Sequence, residues 1–382
     1  MSINLHIVLN NFRNDSRVLK ETKSIASNYF NKIYIVALWE DGVDENELLD
    51  SKREVWRIRL ISRGLPKNLF FQVFKYFEWI IKIYIRFRKE PISVVHCHDL
   101  SALPIGALFK LLKKTKVIYD AHEFETEQVA NPNRLFHLLS IKLEKYFIKK
   151  ADAVITVSGS IADAYVQRYG INRPSLVLNC PPYQSVAKSN YFRKKFNIND
   201  NKKIFLFLGG LSKGRGLEIL LNIFSSKERK NAVLVIMGYG DLTDQIQEMA
   251  FRFDTIYYHP AVSPDKILSY AASADIGLCL IPNSCLSYYY SLPNKLFEYA
   301  MAGLPMLMSN LAEIGRLIRG YDCGQLVDDE TQDGIAKAIE NMLSSDLEKY
   351  SSNSLAMARR FNWEEQEKVL LSAYRKVLSC VE

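Results

Sequence analysis

Apolar residues along the chain gather into short runs rich in valine and isoleucine: LHIVLN, KIYIVALW, VWRIRLI, SVVHCHD, KVIYDAH and AVITVS, with helix-like patterns between several of them. Runs of this length bounded by polar turns predict strands. Their alternation with helical patterns predicts a mostly parallel sheet with helices on both faces. After LNCPPYQ, from Leu178 to Gln184, the pattern begins again with IFLFLGG, AVLVIMG, TIYYHP, ADIGLCLI, LPMLMSN and GQLV. Two α/β domains in succession are expected, over residues 1–182 and 183–360. Pro181 and Pro182 stiffen the join, and the polar stretch from there to Lys203 carries no strand pattern.

Helical patterns follow at about residues 334–342 and 347–360, and then comes FNWEEQEKVLLSAYRKVL. Trp363, Val369, Leu370, Ala373 and Val377 recur there near helical spacing, so residues 361–382 are expected to form a helix returning to the first domain. The most apolar window is LFFQVFKYFEWIIKIYIRFRK, from Leu69 to Lys89, yet Lys75, Glu78, Lys82, Arg86 and Lys89 interrupt it every three or four residues. A membrane span needs about 20 predominantly apolar residues, so the window predicts a helix with one charged stripe. Its wide apolar side meets the sheet, lies on an anionic membrane surface where each Lys or Arg contributes about 1 kcal/mol, or does both.

The 382 residues exceed one ordinary core, and 48% hydrophobic with 24% charged residues is the make-up of a globular protein. The six cysteines, Cys97, Cys180, Cys279, Cys285, Cys323 and Cys380, form neither a C-x-x-C pair nor a cluster with histidines, which points to a reducing, cytoplasmic setting. INLHIVLN at the start reads as a strand, and no secretory signal is expected. Of the net charge of +8, the whole excess sits before residue 186, where 27 Lys and Arg face 19 Asp and Glu, against 23 and 23 afterwards. With no nucleic-acid motif in view, nucleic acid is not an expected partner, and an anionic membrane or substrate comes first.

One turn carries candidate chemistry. In FLFLGGLSKGRGLEILL, residues 205–221, an apolar strand runs through Gly209, Gly210, Gly214 and Gly216 into an amphipathic helix. A glycine turn beyond a parallel strand lets backbone N–H groups approach an anion at a helix N-terminus, and Arg215 adds a planar cation for phosphate oxygens. A purely conformational turn is the alternative. A P-loop requires G-K-[ST] after the spacing where this chain has Gly214, Arg215 and Gly216, and the first strand lacks a dinucleotide fingerprint. In SLPNKLFEYAMAGLP, residues 291–305, Ser291 and Pro293 signal a helix start with Lys295 in its first turn. A cation there opposes the helix dipole unless an anion lies nearby; a solvated lysine is the alternative. Glu298, one turn on, is a candidate acceptor for a ribose diol, or an ordinary surface residue.

The ordered set FLGGLSKGRGLEIL, VLVIMGYGD, ADIGLCL, PNKLFEYAMAGLP and DCGQLVDDE, preceded by DSRVLKE and YDAHE, resembles the retaining glycosyltransferases of family 4. The likeness runs nearly end to end. It implies the GT-B fold: two Rossmann-like doubly wound domains facing across a cleft, with the C-terminal helix packed back on the first. It implies a nucleotide-sugar donor whose diphosphate lies at Gly209, Gly210 and Arg215, with Lys213, Gly238 and Asn294 also near the donor and Glu298 on the ribose. His122, from YDAHE, would approach the donor sugar, and His98 would either line the same cleft or fill an ordinary capping or packing role. The helix start at Asn14, Asp15, Ser16 and Arg17 would bring Arg17 to acceptor or phosphate, with Asp15 as a helix cap. Two departures stand out. Gly210 replaces the usual arginine, leaving Lys213 or Lys295 to supply that charge, and Tyr290 occupies the place of the first glutamate of the paired-glutamate motif.

The resemblance implies transfer in which Arg215, Lys295, backbone N–H groups and helix dipoles stabilise the leaving diphosphate, with no cofactor and no metal expected. The acceptor would be a saccharide or lipid-linked molecule of cell-surface polysaccharide or lipopolysaccharide synthesis, met at the inner membrane face. The rival readings are a sugar-nucleotide epimerase of the same architecture and a catalytically silent nucleotide- or glycan-binding partner subunit.

Overall fold

The computed structural model describes residues 2–13, 15–128, 134–226 and 231–379; Asn14 and Cys380 lie outside them. The chain divides into two compact units, one of Met1–Val177 with Glu367–Glu382 and one of Leu178–Gln366. The first unit ends at Val177 rather than at residue 182, because Leu178 and Cys180 already lie in the core of the second.

In chain order the first unit runs β1 (Ile3–Ile7), α1 (Ser16–Asn28), β2 (Lys32–Leu38), β3 (Asn46–Leu48), β4 (Arg53–Ile58), α2 (Leu69–Phe87), β5 (Ile92–His98), α3 (Asp99–Lys113), β6 (Lys116–Ala121), α4 (Arg134–Ile148), β7 (Ala153–Thr156), α5 (Gly159–Tyr169) and β8 (Ser175–Leu176). Its sheet has the order β3-β4-β2-β1-β5-β6-β7-β8 and is parallel except for the β3–β4 edge pair. Asp15 caps α1 by accepting from the Val18 N–H at 3.1 Å.

The second unit continues with α6 (Tyr191–Phe196), β9 (Lys203–Gly210), α7 (Leu217–Phe224), β10 (Ala232–Tyr239), α8 (Thr243–Arg252), β11 (Ile256–Pro260), α9 (Ile267–Ala271), β12 (Ile276–Cys279), α10 (Leu286–Tyr289), α11 (Asn294–Met301), β13 (Met306–Ser309), α12 (Ala312–Tyr321), β14 (Gly324–Val327), α13 (Gln332–Leu343) and α14 (Leu347–Ala358). Its sheet, β11-β10-β9-β12-β13-β14, is parallel throughout. Parallel strands covered on both faces must be apolar at every position. Accordingly β9 sends Ile204, Leu206 and Leu208 into one core and Phe205 and Phe207 into the other. The last helix, α15 (Trp363–Ser379), starts in this unit, where the Trp363 N–H donates to the Pro181 carbonyl at 2.8 Å. From Glu367 onward it belongs to the first unit.

Strand order reverses between β1 and β5 in one sheet and between β9 and β12 in the other. Beyond the carboxyl ends of strands at such a switch point, open α/β sheets leave the crevice in which ligands bind.

Helix α2 corrects one expectation about its packing. Only the ridge of Trp79, Ile83 and Phe87 is buried, while Phe70, Phe74, Phe77 and Ile81 are exposed. The charged stripe is the side tied to the protein: Glu78 accepts from the N–H groups of Ile61 and Ser62, and Lys75 and Lys82 donate to the carbonyls of Leu65 and Arg59. Arg86 lies over the Trp56 ring at 3.8 Å. Among the described residues no helix is long and apolar enough to cross a membrane.

Candidate active site

In the second unit, β9 ends in the glycine turn. Gly209 has φ +110°, a conformation that side-chain-bearing residues rarely adopt, and a Cβ there would lie 3.2 Å from Lys295 Cε. The first turn of α11 thus rests directly on the turn. A Cβ at Gly238 would overlap the Gly209 carbonyl oxygen, so the sequence-predicted Gly238 keeps β10 close against β9. At Gly210 nothing lies within 4 Å of an added Cβ. Gly216, at φ +74°, caps α7.

Lys295 sits with its Nζ 4.0 Å from the centroid of the Phe207 ring, and among the described residues it has no carboxylate or carbonyl partner. Burial lowers its pKa; Cys279 and Glu298 oppose that shift and Arg215 adds to it. The same Lys295, Arg215 and Glu298 also act on the Cys279 thiol, which burial pushes up. Arg215, Lys295 and Glu298 are therefore gathered beyond the carboxyl ends of β9 and β12. Lys213 and Asn294 are exposed beside them, on the turn and at the start of α11. Tyr290, half-buried at the end of α10, packs its ring 5.5 Å from that of Tyr289.

One anchor escaped the sequence analysis although it stood within LFEYA. The buried Tyr299 hydroxyl lies 3.0 and 2.9 Å from the carbonyls of Leu206 and Leu278 and accepts from the Leu208 N–H at 3.1 Å. This clamps α11 across β9 and β12 at the switch point. Gly277 makes room for the ring, since a Cβ there would overlap it.

In the first unit the switch point carries a buried polar cluster. His6 on β1 and His96 on β5 are register partners, as are His98 and Asp120 on β5 and β6. The rings of His6, His96 and His98 stack at 4.4–5.2 Å between centroids. His6 Nδ1 lies 2.9 Å from His98 Nε2, His98 Nδ1 lies 3.1 Å from His122 Nε2, and His122 Nε2 lies 3.0 Å from Asp120 Oδ2. A carboxylate only accepts, so His122 Nε2 carries a proton and donates it to Asp120. From α15, Tyr374 enters the same network: its hydroxyl accepts from Asn4 at 2.8 Å and lies 2.7 Å from His96 Nδ1.

Arg17 departs from its expected place facing acceptor or phosphate. It is 3% exposed, and its Nε and Nη2 donate to Asp120 at 3.0 and 2.8 Å while Nη1 donates to the Val177 carbonyl at 2.7 Å. Its role is to hold Asp120. Burial opposes the Asp120 charge, but Arg17 and then His122 hold that carboxyl well below the usual range. Burial pushes Glu21 up to about 8 against the pull of Arg17, 3.0 Å away, and pushes His96 down to about 3. His122 is the member that reaches the surface, at 21% side-chain exposure. Burial works against its charge, yet Asp99, 3.7 Å from Nδ1, and Asp120 push its pKa up to about 10. Ligand-capable atoms of Glu21, His96, His98 and Asp120 lie within 4.8 Å of one another, but Arg17 already supplies the cation for both carboxylates.

The sequence matches the family model for Glycosyltransferase Family 4 over residues 31–180 and that for Glycosyl transferases group 1 over residues 189–377. It is similar to an uncharacterized glycosyltransferase of Methanocaldococcus jannaschii, 24% identical over 344 residues that cover 84% of each chain. In fold it is similar to sucrose-phosphate synthase from Thermosynechococcus elongatus, with a TM-score of 0.81 and 15% identity over 100% of each chain. It is also similar to the Anabaena protein HepE in complex with UDP-glucose, with a TM-score of 0.72 and 14% identity over 98% of this chain and 99% of that one.

Proposed function

The chain belongs to the family 4 glycosyltransferases, with two Rossmann-like domains of the GT-B type, and from that premise we propose that it transfers a sugar, with retention, from a nucleotide-sugar donor to a saccharide or lipid-linked acceptor. The observation that carries the donor reading is the Lys295 ammonium, which lies 3.6 Å from where a Cβ on Gly209 would stand and has no salt-bridge partner among the described residues. A diphosphate at the β9–β12 switch point supplies that anion, and HepE, of similar fold, binds UDP-glucose. Gly210 and Asn294 border this diphosphate, Lys213 adds charge at its rim, and Glu298 takes the ribose.

Breaking the bond from the anomeric carbon to the diphosphate leaves negative charge on the phosphate oxygens. Lys295, Arg215 and the first-turn N–H groups of α7 and α11 stabilise it without a metal ion. His122, with a carboxylate near each ring nitrogen, acts as an imidazolium that orients or stabilises the donor sugar rather than as a general base. His98, Asp120 and Arg17 set its position. The basic first unit and the exposed apolar side of α2 support a site of work at the cytoplasmic face of an anionic membrane, and the acceptor we propose is one of cell-surface polysaccharide or lipopolysaccharide synthesis.

A thermal-shift screen of UDP, GDP, dTDP and CMP sugars tests the reading, with hydrolysis and transfer assays on any hit. One nucleotide class should stabilise the protein, and Arg215→Ala and Lys295→Ala should each weaken that hit. Unchanged affinity in both variants refutes the donor placement.

A further inference from the structure

Helix α3 packs between α2 and α4, and the three cover one side of the first unit's sheet. Their outer surface is unusual. Thirteen of the 22 exposed large apolar side chains among the described residues lie on these three helices, whereas the rest are scattered. Phe70 and Phe77 on α2, Leu111 on α3, and Leu139, Leu143 and Tyr146 on α4 mark its extent; Phe70 is 73% exposed and Leu111 78%. Exposed apolar side chains concentrated in this way on three neighbouring helices mark an interaction site.

Charge selects the occupant. Within the three helices eight Lys and Arg accompany three acids, and the acids are engaged. Glu78 binds the Ile61 and Ser62 N–H groups, Asp99 accepts from the His122 N–H, and Glu144 is buried among Tyr119, Tyr165 and Tyr169. On α4 the exposed Lys142 and Lys145 alternate with the exposed apolar positions, and Arg88 and Lys89 stand exposed just after α2. Apolar side chains interleaved with cations on flexible stems suit a layer that is apolar below and anionic at its surface. A second copy docked face to face would bring like charges together.

We infer that α2, α3 and α4 form one docking face for an anionic lipid bilayer, with α4 seating its apolar side chains and lysines alongside α2. This rests on the membrane-facing reading of α2 and widens it to the whole helix layer.

Flotation of the full chain with phosphatidylcholine vesicles, with and without about 30 mol% anionic phospholipid, tests it. The substituted positions are exposed, and an unchanged thermal melt establishes that each variant is folded. The double variants Phe70→Ser with Phe74→Ser on α2, Leu139→Ser with Tyr146→Ser on α4, and Lys142→Glu with Lys145→Glu on α4 are each expected to lower partitioning onto anionic vesicles by at least about tenfold. If only the α2 variant loses binding, the three-helix face is overturned while the α2 contact stands. Equal recovery with neutral and anionic vesicles, or no change in any variant, overturns both. Lipid-free dimerisation abolished by the α4 variants also overturns it, making a second copy the occupant.

Discussion

Asp120→Asn is the substitution that best probes how the first unit prepares its surface histidine. The wild-type carboxylate is fully buried, receives two Arg17 donors at 3.0 and 2.8 Å, and receives His122 Nε2 at 3.0 Å. The amide keeps the shape and loses the charge. Removing one partner of a buried ion pair costs roughly 3–5 kcal/mol, and Glu21 limits the loss because it stands 3.0 Å from Arg17. Asp120 is also one influence that raises Glu21, so in the variant Glu21 ionises more readily and takes over Arg17. His122 should respond most. The shift from an ordinary 6.5 to about 10 corresponds to about 5 kcal/mol favouring the imidazolium, with burial opposed by Asp99 and Asp120. Losing one of two flanking carboxylates should lower that pKa by roughly 1–3 pH units.

The assay is an imidazole-detected NMR titration of labelled protein, with His122→Phe assigning the signal. In the wild type His122 should stay protonated through neutral pH, and its contribution to stability should be complete below about 6.5 and lost as pH rises through about 10. For Asp120 the sign is opposite: its contribution is present above about 3.8 and lost as pH falls toward its depressed pKa. A wild-type His122 that titrates near 6.5, or a pKa identical in Asp120→Asn, refutes the reasoning.

Further outcomes follow from the second unit. Lys295→Met should weaken nucleotide-diphosphate binding by about 1.5–3 kcal/mol, the worth of hydrogen bonds to a charged group, without lowering the melting temperature; calorimetric titration and a melt check both. Gly238→Ala should destabilise the unit by roughly 1–3 kcal/mol through overlap with the Gly209 carbonyl, whereas Gly210→Ala should leave the melt unchanged, so that any lost donor affinity there reports on the ligand. Tyr299→Phe removes the hydroxyl shared by Leu206, Leu208 and Leu278 and should cost about 1–3 kcal/mol in chemical denaturation.

The amino-acid order by itself determined the repeated parallel α/β plan, because a strand covered on both faces has to be apolar along its length, as β9 and β10 are. It also located the glycine turn and the helix start at Lys295, since both depend on local backbone chemistry. The histidine–carboxylate cluster was legible only in part. His98 and His122 stood in recognisable motifs with His96 and Asp120 beside them, but their partners Glu21 and Tyr374 come from α1 and α15, and the Asn4–Tyr374 bond spans 370 positions. Which strands neighbour one another, and in what register, is a property of the assembled sheet that no local window contains. For the same reason Arg17 looked like a ligand-facing cation until the fold brought Asp120 to it. Helix α2 makes the point from the opposite side: its sequence fixes a broad apolar surface, but whether protein covers that surface depends on where the sheet and α3 leave off.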